Sequence, residues 1–178
     1  MTTDIRSYYG KNSDIAGTKY DWGVKNIISN GGGKSWRTLT RDEWVYVFDT
    51  RNTSSGIRYA MANVNGVNGL ILLPDNWSCS NYSLSNTNDT KASFNSNSIS
   101  QSDWQNKFES NGAVFLPAAG IRSETNVRDF GSLGLYWSAS YYGREGAYDM
   151  YFNDKYIITD GWSWRNAGHS VRLVCDVE

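Results

Sequence analysis

The sequence predicts an α+β domain of two helices, short antiparallel strands and long loops. Three observations carry this reading. Side-chain signals for a helix start stand out at two places, before residues 41 and 101. The apolar runs are short, and two of them stop at a proline, as buried strands do. The polar stretches between them are long, and short strands alternating with irregular segments and few helices fold as mixed layers.

The elements follow in order. Residues 1–36 are mixed: Asp21-Trp22-Gly23 leads into Val24 and Ile27-Ile28, and Asn30-Gly31-Gly32-Gly33-Lys34 reads as a turn. That run is not a phosphate loop, because no apolar strand enters it and the Lys-Ser/Thr helix start is absent at the required spacing. Thr40-Arg41-Asp42-Glu43 is a capping box. Trp44, Val47 and Phe48 then share one face, so a helix is expected over about 41–50. Residues 57–61 and 64–67 read as short strands, with the hairpin signal Asn65-Gly66 between them. Gly69-Leu70-Ile71-Leu72-Leu73, stopped by Pro74, reads as a buried strand.

Residues 78–100 hold eight Ser and five Asn in 23 positions and leave little to bury, so a long surface loop is expected. Its Asn-x-Ser/Thr triplets at Asn81 and Asn88 are what chance produces in such composition. A second helix is expected over about 101–110, with Ser100 as cap, Asp103 three residues on, Trp104 and Phe108 on one face, and Gly112 closing it. Ala113 to Pro117 is another short strand. Beyond residue 134 the chain reads as strand and loop. Leu135–Ser140 is a strand. Ala147–Asn153 alternates, with Tyr148, Met150 and Phe152 on one side and Asp149, Tyr151 and Asn153 on the other. Ser170–Asp176 alternates too, with Val171, Leu173 and Cys175 inward, and Asp154–Gly168 is expected to be mostly loop.

Length and charge narrow the function. A chain of 178 residues is one domain, and a net charge of -1 gives no electrostatic reason to hold nucleic acid. No apolar run approaches the ~20 residues of a membrane helix, and the opening residues lack the basic and apolar regions of a secretory leader. Cys79 and Cys175 lie 96 positions apart, which excludes zinc and redox-pair spacings and leaves either one long-range disulfide or two free thiols. His169 is the only histidine, so histidine-based metal sites and acid–base sites have almost no material. Aromatic residues are abundant at 15%, and ten of them fall between 136 and 164. Even spreading would put roughly four there. Nine of the ten are Tyr or Trp, whose apolar body and polar tip suit a binding surface.

Four stretches together carry a family resemblance: Trp36–Trp44, Gly69–Trp77, Val114–Gly120, and Tyr136-Trp137-Ser138-Ala139-Ser140 with the later Ser170-Val171-Arg172-Leu173-Val174. They resemble the formylglycine-generating-enzyme-like branch of the C-type lectin fold. Within it they are similar to bacterial surface proteins and to the variable proteins of diversity-generating retroelements. The resemblance runs from about residue 20 to 175, leaving out the Ser/Asn-rich loop. It implies a ligand-binding face in residues 136–174 whose outward side chains are rewritten at adenines, so that Asn codons become Tyr, Ser, Asp, Gly and others. It further implies a virion or cell-surface setting and a protein or glycan ligand on a target cell. Trp162 and Trp164 depart from the pattern, since an AAC codon does not yield Trp.

The residues themselves agree with a binding face. Tyr141, Tyr142, Tyr151, Tyr156, Trp162 and Trp164 supply rigid area. Arg144, Glu145, Asp149, Asn153, Asp160, Arg165 and Asn166 supply charge and hydrogen bonds. Tyr136, Trp137, Tyr148 and Phe152 are expected in the core. No catalytic residue, metal ligand or cofactor is expected. The two cysteines lie in no motif of the formylglycine-generating relatives, and no Gly-x-Ser-x-Gly elbow accompanies His169. Pro74-Asp75-Asn76 lacks the Trp-Asn-Asp partner of calcium-dependent lectins. An invariant adhesin and a calcium-independent lectin on the same scaffold stay open as alternatives, and oligomerisation would add avidity to any of them.

Overall fold

The computed structural model describes residues 12–26, 35–78, 80 and 82–175. Ile27-Ile28, the Asn30–Lys34 turn, Cys79, Asn81 and Asp176 lie outside the described residues. The architecture is mixed α+β, with few and short helices and several small sheets that are antiparallel except for one short pairing.

Both expected helices form because their starts are satisfied locally. Helix α2 spans Arg41–Val45. Thr40 Oγ1 accepts from Glu43 N at 3.2 Å while Thr40 N donates to Glu43 Oε2 at 2.8 Å, the reciprocal pair of a capping box. A π-helical turn, Tyr46–Thr50, continues it to the expected end. Helix α3, Gln101–Asp103, is capped by Ser100 and continues as a π turn Trp104–Phe108 and a 3-10 turn Glu109–Asn111. Gly112 ends it at φ 86°, a left-handed position that suits glycine. Helix α1, Trp22–Lys25, is a single turn. The buried Asp21 carboxylate before it accepts from Gly23 N at 3.0 Å and from Thr38 Oγ1 at 2.7 Å. That ties α1 to β1, Trp36–Thr38.

A four-stranded sheet lies at the centre. Strands β2 (Tyr59–Val64) and β3 (Val67–Leu72) form a hairpin over Asn65 and Gly66, both at positive φ, as the dipeptide signalled. One continuous β3 replaces the two pieces expected at 64–67 and 69–73. Gly69 does not break it: a Cβ there would lie 2.4 Å from the Phe115 ring, so glycine is what close packing admits. Strand β4 (Ser98–Ile99) runs parallel to β2, and β5 (Val114–Pro117) pairs with β3, giving the order β4-β2-β3-β5. Alternation divides this sheet between two cores. Leu70 packs with Trp44, Phe48, Tyr59 and Phe152 on one side, while Ile71 packs with Trp77, Ile99 and Phe108 on the other.

Further on, β6 (Ile121–Ser123) and β7 (Asn126–Arg128) form a small hairpin that the sequence reading did not anticipate. Strands β8 (Gly134–Tyr142), β9 (Gly146–Phe152) and β10 (Ile157–Trp164) form a second antiparallel sheet with β9 in the middle. Strand β10 corrects the expectation of loop over 154–168. Its register shifts between Ile158 and Gly161, so no clean two-residue alternation shows in the sequence. Strand β11, Leu173–Cys175, is shorter than the expected 170–176 and pairs with β1. Val171, Leu173 and Cys175 are half-buried rather than inward, and Cys175 carries a free thiol.

The Ser/Asn-rich stretch is irregular over most of its length. It nevertheless buries Ala92, Phe94, Asn97 and Ile99, where little burial was expected. Asn97 Nδ2 donates to Met61 O at 2.8 Å and to Ser85 O at 3.0 Å, so a polar side chain fastens the stretch to the central sheet.

Candidate functional site

The end of the second sheet carries a run of aromatic rings in contact. Trp162 stands opposite Tyr148 in the β9–β10 register. Tyr142 stacks on Trp162 with centroids 4.7 Å apart and meets Tyr148 edge-on at 5.0 Å. Trp164 meets Trp162 edge-on at 5.8 Å. Tyr142, Trp162 and Trp164 are 37%, 46% and 53% exposed, so this is a surface cluster and not a buried one. Offset stacks and edge contacts of this kind hold rings in fixed orientations. Arg41 of α2 lies over the Tyr148 ring at 5.6 Å and forms ion pairs with Asp160 at 2.9 Å and Asp42 at 2.8 Å.

Four of the expected site residues, Tyr142, Asp160, Trp162 and Trp164, therefore come together. Two members were missed. Tyr148 was expected in the core because it alternates with Met150 and Phe152. It shares their side of β9 but is only half-buried, in contact with Tyr142. Arg41 was read only as part of a cap, and its reach to a strand more than a hundred residues later leaves no sequence signal.

Among the described residues, the other expected ones make no ring contact or ion pair with that cluster. Arg165 lies over the Tyr141 ring at 5.3 Å and donates to Gly146 O at 2.6 Å and Gly143 O at 3.3 Å, so it fastens the β8–β9 turn. Burial lowers its pKa from the ordinary arginine value. Arg144 is exposed on that turn, and the half-buried Glu145 accepts from Arg165 N through its carbonyl. Tyr151 and Tyr156 meet edge-on at 5.8 Å. Asn153 Oδ1 accepts from the Lys155 and Tyr156 backbone at 2.9 and 3.1 Å, which makes it a turn residue between β9 and β10. Asn166 is exposed just after β10.

Asp149 is the clear correction: it was expected on an outward face and is 1% exposed. Alternation places it opposite Met150, as read, but the chain after β10 covers that side. His169 Nδ1 lies 3.3 Å from Asp149 Oδ2, with neither side chain exposed. The His169 ring stacks on Trp137 at 4.1 Å. Ser170 fixes the covering segment, donating to Leu135 O and accepting from Trp137 N, both at 3.0 Å. None of the four polar atoms of the pair makes a well-formed hydrogen bond. Burial pushes Asp149 up to about 6, with the Ser163 hydroxyl pulling it back, and pushes His169 down to about 4.

Beside the aromatic cluster is an open cleft of about 380 Å³. Trp162, Trp164, Asn166 and Ala167 form one wall, and Ile121, Glu124 and Arg128 of the β6–β7 hairpin form the other. Backbone hydrogen bonds between Arg122 and Gly168, both 2.8 Å, join the two walls. Gly168 is needed there because a Cβ would come within 2.7 Å of Arg122 Cβ. Among the described residues no group of three or more His, Cys, Asp or Glu side chains converges as a metal site. No helix among them is long and apolar enough to cross a membrane.

No curated protein and no solved structure matches the chain. Residues 80–174, more than half of the sequence and all of the β8–β10 sheet, match Domain of unknown function (DUF8237), and the chain belongs to that family.

Proposed function

We propose that the protein is a non-catalytic recognition domain that binds a protein or glycan on a target cell surface through the aromatic end of the β8–β10 sheet. The observation that carries this reading is the set of exposed, mutually contacting rings of Tyr142, Trp162 and Trp164 on a strand framework anchored by the buried Leu135, Tyr136, Met150, Phe152 and Ile157. Such rings give contact area at little entropic cost, and Arg41 and Asp160 beside them and Asn166 in the adjoining cleft wall supply polar groups. The proposal includes a scaffold of the C-type lectin type and adenine-directed diversification of residues 136–174, both drawn from the family resemblance. A core that resists change and a surface that absorbs it within about 0.5 kcal/mol is the physical division such diversification needs.

Sequencing the 3′ end of the gene and its flanking DNA across a natural population tests this. The expected pattern is substitution at exposed positions such as Tyr142, Arg144, Tyr156 and Asp160, at adenines of a neighbouring near-copy, with Asp149, Met150 and Phe152 constant. A uniform 3′ end would overturn the diversification. One observation favours the invariant adhesin as a second reading: Trp162 and Trp164 sit inside the ring cluster, and neither is reachable from an Asn AAC codon.

A further inference from the structure

We propose that the cleft between the β6–β7 hairpin and the end of β10 is a subsite for a neutral pyranose ring of a glycan, held without a metal ion. This rests on reading the neighbouring aromatic cluster as a recognition surface and names what one end of it takes. The cleft, about 380 Å³, falls in the lower part of the ~300–1,000 Å³ range of small-ligand sites and suits one or two sugar rings. A protein partner needs about 800 Å² of its own surface buried, which this concavity does not provide.

The lining has the chemistry of a sugar. Trp162 and Trp164, whose rings stand at 77° to each other, both line the cleft. The negative face of an indole attracts the partially positive C–H groups of one side of a pyranose. Tyr142, stacked on Trp162 at 4.7 Å, fixes that plate before a ligand arrives. Around the plates stand three polar side chains with no hydrogen bond or ion pair to another described residue: Glu124, Arg128 and Asn166. A carboxylate only accepts, a guanidinium only donates, and an amide does both. Vicinal hydroxyls donate and accept at once, so a polyol matches all three, whereas an apolar side chain would leave them unmatched. The opposite charges of Glu124 and Arg128 favour a neutral ring over an acidic or basic one. A single carboxylate in the lining is far short of the six to eight oxygens that calcium collects.

The test is saturation-transfer NMR of the full chain against a panel of methyl pyranosides and their disaccharides, with EDTA present. The expected result is binding of some epimers and not others, with Kd near ~1 mM or tighter. Trp164→Ala should abolish it, and Glu124→Gln should weaken it roughly tenfold. Trp22→Ala, an exposed tryptophan outside the cleft, should leave it unchanged. Near-UV circular dichroism checks that each variant is folded, and Glu124→Gln serves if Trp164→Ala is not. Absence of transfer from every glycoside, equal transfer from all epimers, retention in both cleft variants, or binding only when calcium replaces EDTA would each overturn the subsite. Glycoside failure alongside a diversified 3′ end would remove the subsite and leave the recognition face standing.

Discussion

Trp44 has no exposed surface and packs against Phe48 and Tyr136, whereas Trp162 is half in solvent and leans on Tyr142. The same side chain thus has two duties, and truncation separates them. Trp44→Ala should cost about 3–5 kcal/mol in a denaturant melt, and Trp162→Ala about 1 kcal/mol, because only the first opens a core cavity. Asp149 and His169 make a subtler pair. Asp149 is raised from 3.8 to about 6, so its contribution to stability is full below its unfolded value and is lost as pH rises through about 6. His169 is lowered from 6.5 to about 4, so its contribution is present above 6.5 and is lost as pH falls through about 4. Across that window the two trends oppose each other. Single variants should expose them: His169→Gln loses stability as pH rises from 4 to 7, and Asp149→Asn loses it as pH falls over the same range. Each slope should total no more than about 3 kcal/mol, and urea melts at four pH values would read it. The sidedness of Asp149 was legible in the sequence. Its burial was not, because the cover comes from residues twenty positions later.

At the level of elements, what was legible is what is encoded locally. The two helices were readable because each start is settled within four residues, at Thr40 with Glu43 and at Ser100 with Asp103. The β2–β3 hairpin was readable because Asn65-Gly66 alone satisfies its turn. Strand β10 was not, since Asp160 and Gly161 weaken strand propensity and the register shift hides the alternation. The β1–β11 and β6–β7 pairings were missed because three-residue strands carry too little pattern. The candidate site divides in the same way. Its aromatic composition was plain from the sequence, while Arg41 and the hairpin wall came only with tertiary contact. Glycines within strands mark where elements press together. At Gly134 a Cβ would lie 2.2 Å from the Phe152 ring, so Gly134→Ala should cost about 1–3 kcal/mol in a thermal melt, by displacing a core phenylalanine.

Over the whole molecule, segments far apart in the sequence meet. Strand β11 pairs with β1 through Trp36–Cys175, Arg37–Val174 and Thr38–Leu173, and the Tyr141 backbone N–H donates to Asp14 at 2.8 Å. Contacts of such long sequence separation form late and slowly. During synthesis, β1 therefore waits for a partner until residues 173–175 have left the ribosome. A premature stop or a frameshift before residue 173 removes that partner, and an unclosed chain of this kind is expected to be more open to proteolysis. Connectivity thus makes closure of the fold depend on three late residues: a chain cut short before them keeps β1 without its partner.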